Sequence, residues 1–118
     1  MLADLAGTWR GIYSYAGQSR SPVEFLMSLQ VHGDTCQGRI EEPNTFGVPS
    51  VRQLYANVEC QVVDGMASPR LKLKKTYDGT GGQFHSVDYL GDISVDRRSV
   101  TGTWRLGTQS GDFSLTKQ

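Results

Sequence analysis

Residues 23 to 31 alternate without a break, with Val23, Phe25, Met27, Leu29 and Val31 on one parity and Glu24, Leu26, Ser28 and Gln30 on the other. A period of two belongs to a β-strand with one buried face, because in a helix residues three and four apart share a face. Seven further segments follow, giving strands at roughly 7–15, 23–32, 35–42, 51–61, 70–77, 83–95, 99–106 and 111–117. None carries a helical period. Fourteen glycines and four prolines punctuate them, as tight turns between many short strands require. A chain of 118 residues fills one ordinary domain, so residues 1–118 are expected to form a single unit.

Hairpin register tests this layout, since a slip of one residue turns every side chain to the wrong face. A turn at Gly33-Asp34 sets Val31 opposite Cys36, Leu29 opposite Gly38 and Met27 opposite Ile40. A loop over Asp78 to Gly82 sets Lys75 opposite His85, Leu73 opposite Val87 and Leu71 opposite Tyr89, with Lys72 against Asp88 on the outer face. Turns at Arg97-Arg98 and Gln109-Ser110 set Val95 against Val100, Gly91 against Trp104, Leu106 against Phe113 and Trp104 against Leu115. Every register matches apolar with apolar. Eight sequential antiparallel strands bring the first beside the last, so an all-β, up-and-down barrel is expected.

The tetrapeptide Gly-Thr-Trp-Arg occurs at residues 7–10 and again at 102–105, close to the two ends of this sheet. In Gly7-Thr8-Trp9, joined with the late Gly102-Thr103-Trp104, the chain resembles the calycin superfamily of lipocalins, fatty-acid-binding proteins and avidins. The first strand of that superfamily characteristically carries Gly-x-Trp, and the avidin-like branch is nearest in size. The resemblance implies a calycin-like barrel in which Trp9 plugs the closed end and a basic side chain of the last strand, Lys117, packs over it. It also implies self-association through the barrel walls. Avidins place Asn two residues after the Trp, where this chain has Gly11, so biotin is not implied.

The connections divide the barrel into unequal ends. Short turns at Gly33-Asp34, around Gly65-Met66 and at Arg97-Arg98 mark one; the longer loops Ala16–Pro22, Pro43–Val51 and Asp78–Gly82 mark the other. Ligands enter where the longer loops gather. Inward polar and aromatic residues concentrate at this mouth: Tyr13, Tyr15, Glu42, Lys75, Tyr77, His85 and Tyr89, with Trp104 in the lumen wall. The short-turn end is lined by Trp9, Val31, Cys36, Cys60, Leu71, Ile93, Val95 and Val100. Lys75 is expected at the rim with its ammonium in water. Glu42 either pairs with it or stays solvated in the Glu41-Glu42-Pro43 turn.

Twelve basic residues balance twelve acidic ones, leaving no cationic field for nucleic acid or an anionic membrane. Neither a leader pattern nor a long apolar run is present, so a cytoplasmic location is expected. Cys36 falls opposite Cys60, a geometry a disulfide permits, but free thiols are expected in that setting. His32 and His85 belong to opposite ends, so no metal site is expected, and no motif points to a cofactor. The first functional reading is a barrel that binds a small apolar or amphipathic molecule, with Lys75, His85, Tyr77 and Glu42 fixing its polar end at the longer-loop mouth. The alternative is a cofactor-free isomerase, cyclase or dehydratase, with His85 or Glu42 as base and Lys75 or a tyrosine polarising a carbonyl oxygen. A third is a lumen filled by Phe25, Met27, Tyr89 and Trp104, with the outer surface serving protein interaction or self-association.

Overall fold

The computed structural model describes residues 2–17, 20–63, 65 and 68–118. Met66, in one expected turn, and Gln18 and Ser19, in the first mouth loop, lie outside them. Eight strands form: β1 (Gly7–Tyr13), β2 (Val23–His32), β3 (Thr35–Pro43), β4 (Gln53–Val63), β5 (Arg70–Tyr77), β6 (Ser86–Ile93), β7 (Ser99–Leu106) and β8 (Gln109–Lys117). Each pairs antiparallel with its sequence neighbour, and β1 pairs with β8 to close the barrel. Closure leaves no strand edge, and the alternation of each strand sends one parity into a shared lumen. Trp9, Met27, Ile40, Leu71, Val100 and Leu115 are all sealed there.

The short-turn end is closed by residues the sequence pattern marks only in part. A 3-10 turn over Leu2–Leu5 precedes β1, and the Leu5 carbonyl accepts a 2.9 Å hydrogen bond from Trp9 Nε1. The indole is thereby buried with its one donor satisfied. Lys117 stands beside Trp9 in the β1/β8 ladder and donates from Nζ to the Asp4 carbonyl at 2.7 Å. This joins the two ends of the chain across the base. Val95, expected in that lining, is instead 97% exposed, because the chain has left the sheet before reaching it.

The β2/β3 and β3/β4 registers are as expected, with Val31 opposite Cys36 and Cys36 opposite Cys60. Three others move, always by an even number. Lys75 pairs with Val87 rather than His85, Leu73 with Tyr89 rather than Val87, and Leu71 with Gly91 rather than Tyr89. Asp88 consequently faces Lys74 instead of Lys72. The cause is a 3-10 turn at Thr80–Gly82, where Gly79, Gly81 and Gly82 all take positive φ and delay the start of β6 until Ser86. Ser94 and Asp96 similarly build a longer turn before β7. Ser94 Oγ accepts from Ser99 N at 3.0 Å and Arg98 N at 3.2 Å, so Ile93, not Val95, meets Val100. The last hairpin turns at Gly107-Thr108 rather than Gln109-Ser110, which sets Trp104 against Gly111 and Gly102 against Phe113.

Trp104 therefore sits nearer the mouth than expected, beside Tyr89 rather than Gly91. The glycine that makes room for its indole is Gly111, where an added Cβ would lie 2.6 Å from Trp104 Nε1 and collide with the Ser14 carbonyl. That carbonyl accepts the indole hydrogen bond at 2.8 Å. Residues 14–16 continue along β8 through Ser14 N to Asp112 O and Ala16 N to Ser110 O, both 2.9 Å, although β1 ends at Tyr13.

The cysteines are not free thiols: Cys36 and Cys60 form a disulfide. Directly opposed in the ladder with Cα atoms 5.0 Å apart, they lie within the span that a disulfide bridges. The bond closes a loop between residues separated by 24 positions. Replacing both by alanine should lower unfolding free energy by about 3 kcal/mol, mainly by freeing the unfolded chain. Urea denaturation of the oxidised wild type and the double variant checks this, and equal midpoints would exclude a stabilising role.

Candidate functional site

Three strand ends converge at the longer-loop mouth. Tyr13 ends β1, Glu42 is the penultimate residue of β3, and Tyr77 ends β5 with Lys75 two residues before it. Inward parity at these positions forces four polar side chains toward one another. The Glu42 carboxylate accepts from the Lys75 ammonium through Oε1, from the Tyr13 hydroxyl through Oε2 at 2.8 Å, and from the Tyr77 hydroxyl at 3.1 Å to each oxygen. Lys75 and Glu42 are each 1% exposed, so Lys75 is no rim lysine. Its ammonium lies 4.7 Å from the centroid of Tyr77, 4.9 Å from Tyr13, 5.6 Å from Phe25 and 5.9 Å from Tyr89. Four ring faces take over part of the role of water around the cation. Gly11 makes this possible, since a Cβ there would run into the Phe25 ring.

Burial pulls the Lys75 amine below the ordinary lysine range, and the Glu42 carboxylate opposes that pull. The Tyr13 and Tyr77 hydroxyls are pushed far above the usual phenol range, chiefly by burial and then by the charge of Glu42. Burial does the same to Tyr89. All three hydroxyls are therefore held in the neutral form at neutral pH.

Beside this network lies a cavity of about 200 Å³, lined by Tyr13, Tyr15, Arg20, Phe46, Tyr77, His85, Val87, Tyr89, Trp104, Leu106 and Gln109. Its walls are two groups of interlocking rings. Tyr15 meets Trp104 at 5.3 Å and 84° and Tyr13 at 5.8 Å and 69°. Phe46 meets Tyr77 at 5.5 Å and 90°, and His85 packs on Tyr77 at 4.6 Å. Edge-to-face contacts of this kind hold aromatic walls in place. The Tyr89 side chain is 3% exposed and lines the cavity, yet its hydroxyl makes no hydrogen bond among the described residues. Below the mouth the lumen is filled by Phe25, Met27, Leu73 and Leu115.

The loops over the mouth are braced. Asn44 Nδ2 donates to the carbonyls of Val48 and Val51, both at 2.7 Å, and its Oδ1 accepts from Gly47 N at 2.6 Å, which fixes Phe46 between them. Val48 N donates to Gly81 O at 3.1 Å and joins this loop to the glycine turn. Asp78 anchors the turn by accepting from Thr80 and, at 2.7 Å, from Arg39 on the outer wall. These bonds, with Thr80 the larger contributor, hold the Asp78 carboxyl below the usual range.

Of the residues expected at the site, Tyr13, Tyr15, Tyr77, His85, Tyr89 and Trp104 line the cavity, while Lys75 and Glu42 pair behind it. His85 does not oppose Lys75 in the ladder. It follows the glycine turn, and its backbone carbonyl accepts from Tyr77 N at 3.0 Å. Arg20, Phe46, Val87, Leu106 and Gln109 complete the lining and were not expected there. Val87 and Leu106 have the correct parity; Arg20 and Phe46 lie in loops, where periodicity carries no signal. Among the described residues no group of three or more His, Cys, Asp or Glu gathers for a metal, and no helix is long and apolar enough to cross a membrane. The chain matches no protein-family model and no curated protein.

Removing one partner of the buried pair strands the other. Lys75→Met and Glu42→Gln should each cost about 3–5 kcal/mol, and the double variant less than the sum, as a double-mutant cycle by urea denaturation will read. Burial first and the Lys75 charge second hold the His85 imidazole below the ordinary histidine value of 6.5, against the pull of Glu42. The stability contributed by neutral His85 is thus present above about pH 6.5 and lost as pH falls through the lower folded value. On acidification from that pH, wild type should lose more stability than His85→Gln. An NMR titration of the imidazole should give a midpoint below that of unfolded chain.

Proposed function

We propose that this barrel binds a small, largely apolar ring compound in the mouth cavity, with its polar end toward the longer loops. The cavity of about 200 Å³ walled by six aromatic rings carries this reading. An apolar cavity of about 150 Å³ accepts benzene, so the space suits a single-ring molecule. The Tyr89 hydroxyl, which makes no hydrogen bond among the described residues, offers a donor at the cavity wall, and Arg20, His85 and Gln109 add polar groups to the lining. Aromatic walls with a few placed polar groups are the usual composition of a small-molecule site. Binding is favoured over proton transfer because both Glu42 oxygens are already occupied by Lys75, Tyr13 and Tyr77.

The closed up-and-down barrel, with Trp9 plugging its base beside Lys117, supports a place among the calycin-like barrels. Gly11 supports a site unlike that of the avidins, because Phe25 fills the space where their Asn side chain would lie. The Cys36–Cys60 bond favours an oxidising compartment over the cytoplasm expected from the sequence.

The two indoles provide a built-in comparison, since Trp104 lines the cavity and Trp9 is sealed at the far end. In a screen of single-ring compounds by NMR, binders should move the Trp104 Nε1–H resonance and leave that of Trp9 in place. A library that moves neither, together with no ligand retained in native mass spectrometry of protein from its own host, sinks the proposal.

A further inference from the structure

Resting on the binding role proposed for the mouth cavity, we infer that its ligand class is a single-ring carboxylate, held with its acid group at the opening against Arg20. Among the described residues lining the cavity, Arg20 is the one carrying a formal charge at neutral pH, since no Asp or Glu is present and His85 is pulled toward its neutral form. The guanidinium carbon lies 4.4 Å from the centroid of the Tyr15 ring, at the cavity wall, and the side chain forms no ion pair within the described residues. Stacking on an aromatic face leaves the edge of the guanidinium free, and that edge matches a carboxylate with two parallel hydrogen bonds.

The buried pair sharpens the choice of charge. Glu42 accepts from two tyrosines of the cavity wall, but those hydroxyls and Lys75 consume its acceptor capacity. A cationic ligand would therefore find six rings but no free counter-ion, with Arg20 opposing it at the mouth. An uncharged ring would gain the walls alone. A carboxylate gains both the walls and the guanidinium, and it keeps its charge at the opening, where desolvation costs least.

Benzoate, benzamide and benzylamine share one ring and differ in charge, so calorimetric titration of the three against the oxidised protein separates the possibilities. Wild type should bind benzoate on the order of tenfold more tightly than benzamide, the low end for a charge-assisted contact because Arg20 is exposed. Benzylamine should bind most weakly. Arg20→Gln should remove the preference for benzoate while leaving benzamide unchanged, and added salt should reduce it in wild type. Equal affinity for benzoate and benzamide, tighter binding of benzylamine, or a preference for benzoate that survives in Arg20→Gln overturns the carboxylate while the cavity reading stands. Failure of all three to bind, with the Trp104 indole unmoved, overturns both.

Discussion

Pairing between β1 and β8 is the constraint on which everything else rests. Once Trp9 stands beside Lys117 and Tyr13 beside Phe113, every inward side chain must share one enclosed volume. Size mismatches can no longer be relieved at an edge. Glycines absorb them: Gly11 yields to Phe25 and Gly111 to Trp104. Both lie in the two strands that close the barrel, and both admit a ring whose polar or π face then serves another residue.

The second organising interaction is the buried contact of Lys75 with Glu42. Two charges withdrawn from water are costly, and a hydrophobic pair of similar volume would often be at least as stable. Here the cost is offset by two tyrosine hydroxyls on the carboxylate and four rings around the ammonium. The network spends the strongest polar groups of the lumen on one another. What remains for a ligand among the described residues is a cavity with aromatic walls, the hydroxyls of Tyr15 and Tyr89, and a cationic rim. A barrel filled below and open above thus combines two of the architectures that alternation alone permits.

How far the site is legible from the chain varies with the kind of residue. Tyr13, Tyr77, Tyr89 and Trp104 lie on strands, where parity settles that they face the lumen; nearness to the mouth was legible for the tyrosines, whereas the depth of Trp104 hung on the register of its hairpin. Phe46 and Arg20 lie in loops, where no period exists and position depends on hydrogen bonds such as those of Asn44. Lys75 shows the limit most clearly. Its inward parity is visible in the sequence, but a lysine near a strand end can extend into water or fold inward. That choice depended on whether Glu42, 33 residues away, would be there to meet it.

The period of two settled which face each strand residue occupies, and the short turns between consecutive strands settled that neighbours in the chain pair antiparallel. Neither signal in the sequence determined the registers of the later hairpins. Shifts of two or four residues keep every face and satisfy the same alternation, so the choice passed to turn geometry: the positive-φ glycines after Asp78, the Ser94–Asp96 turn and Gly107. The tertiary structure also decided that the opposed cysteines bond and that the strongest charges cancel inside the barrel. Each of these depends on distances between residues far apart in the chain, and no local pattern encodes such a distance.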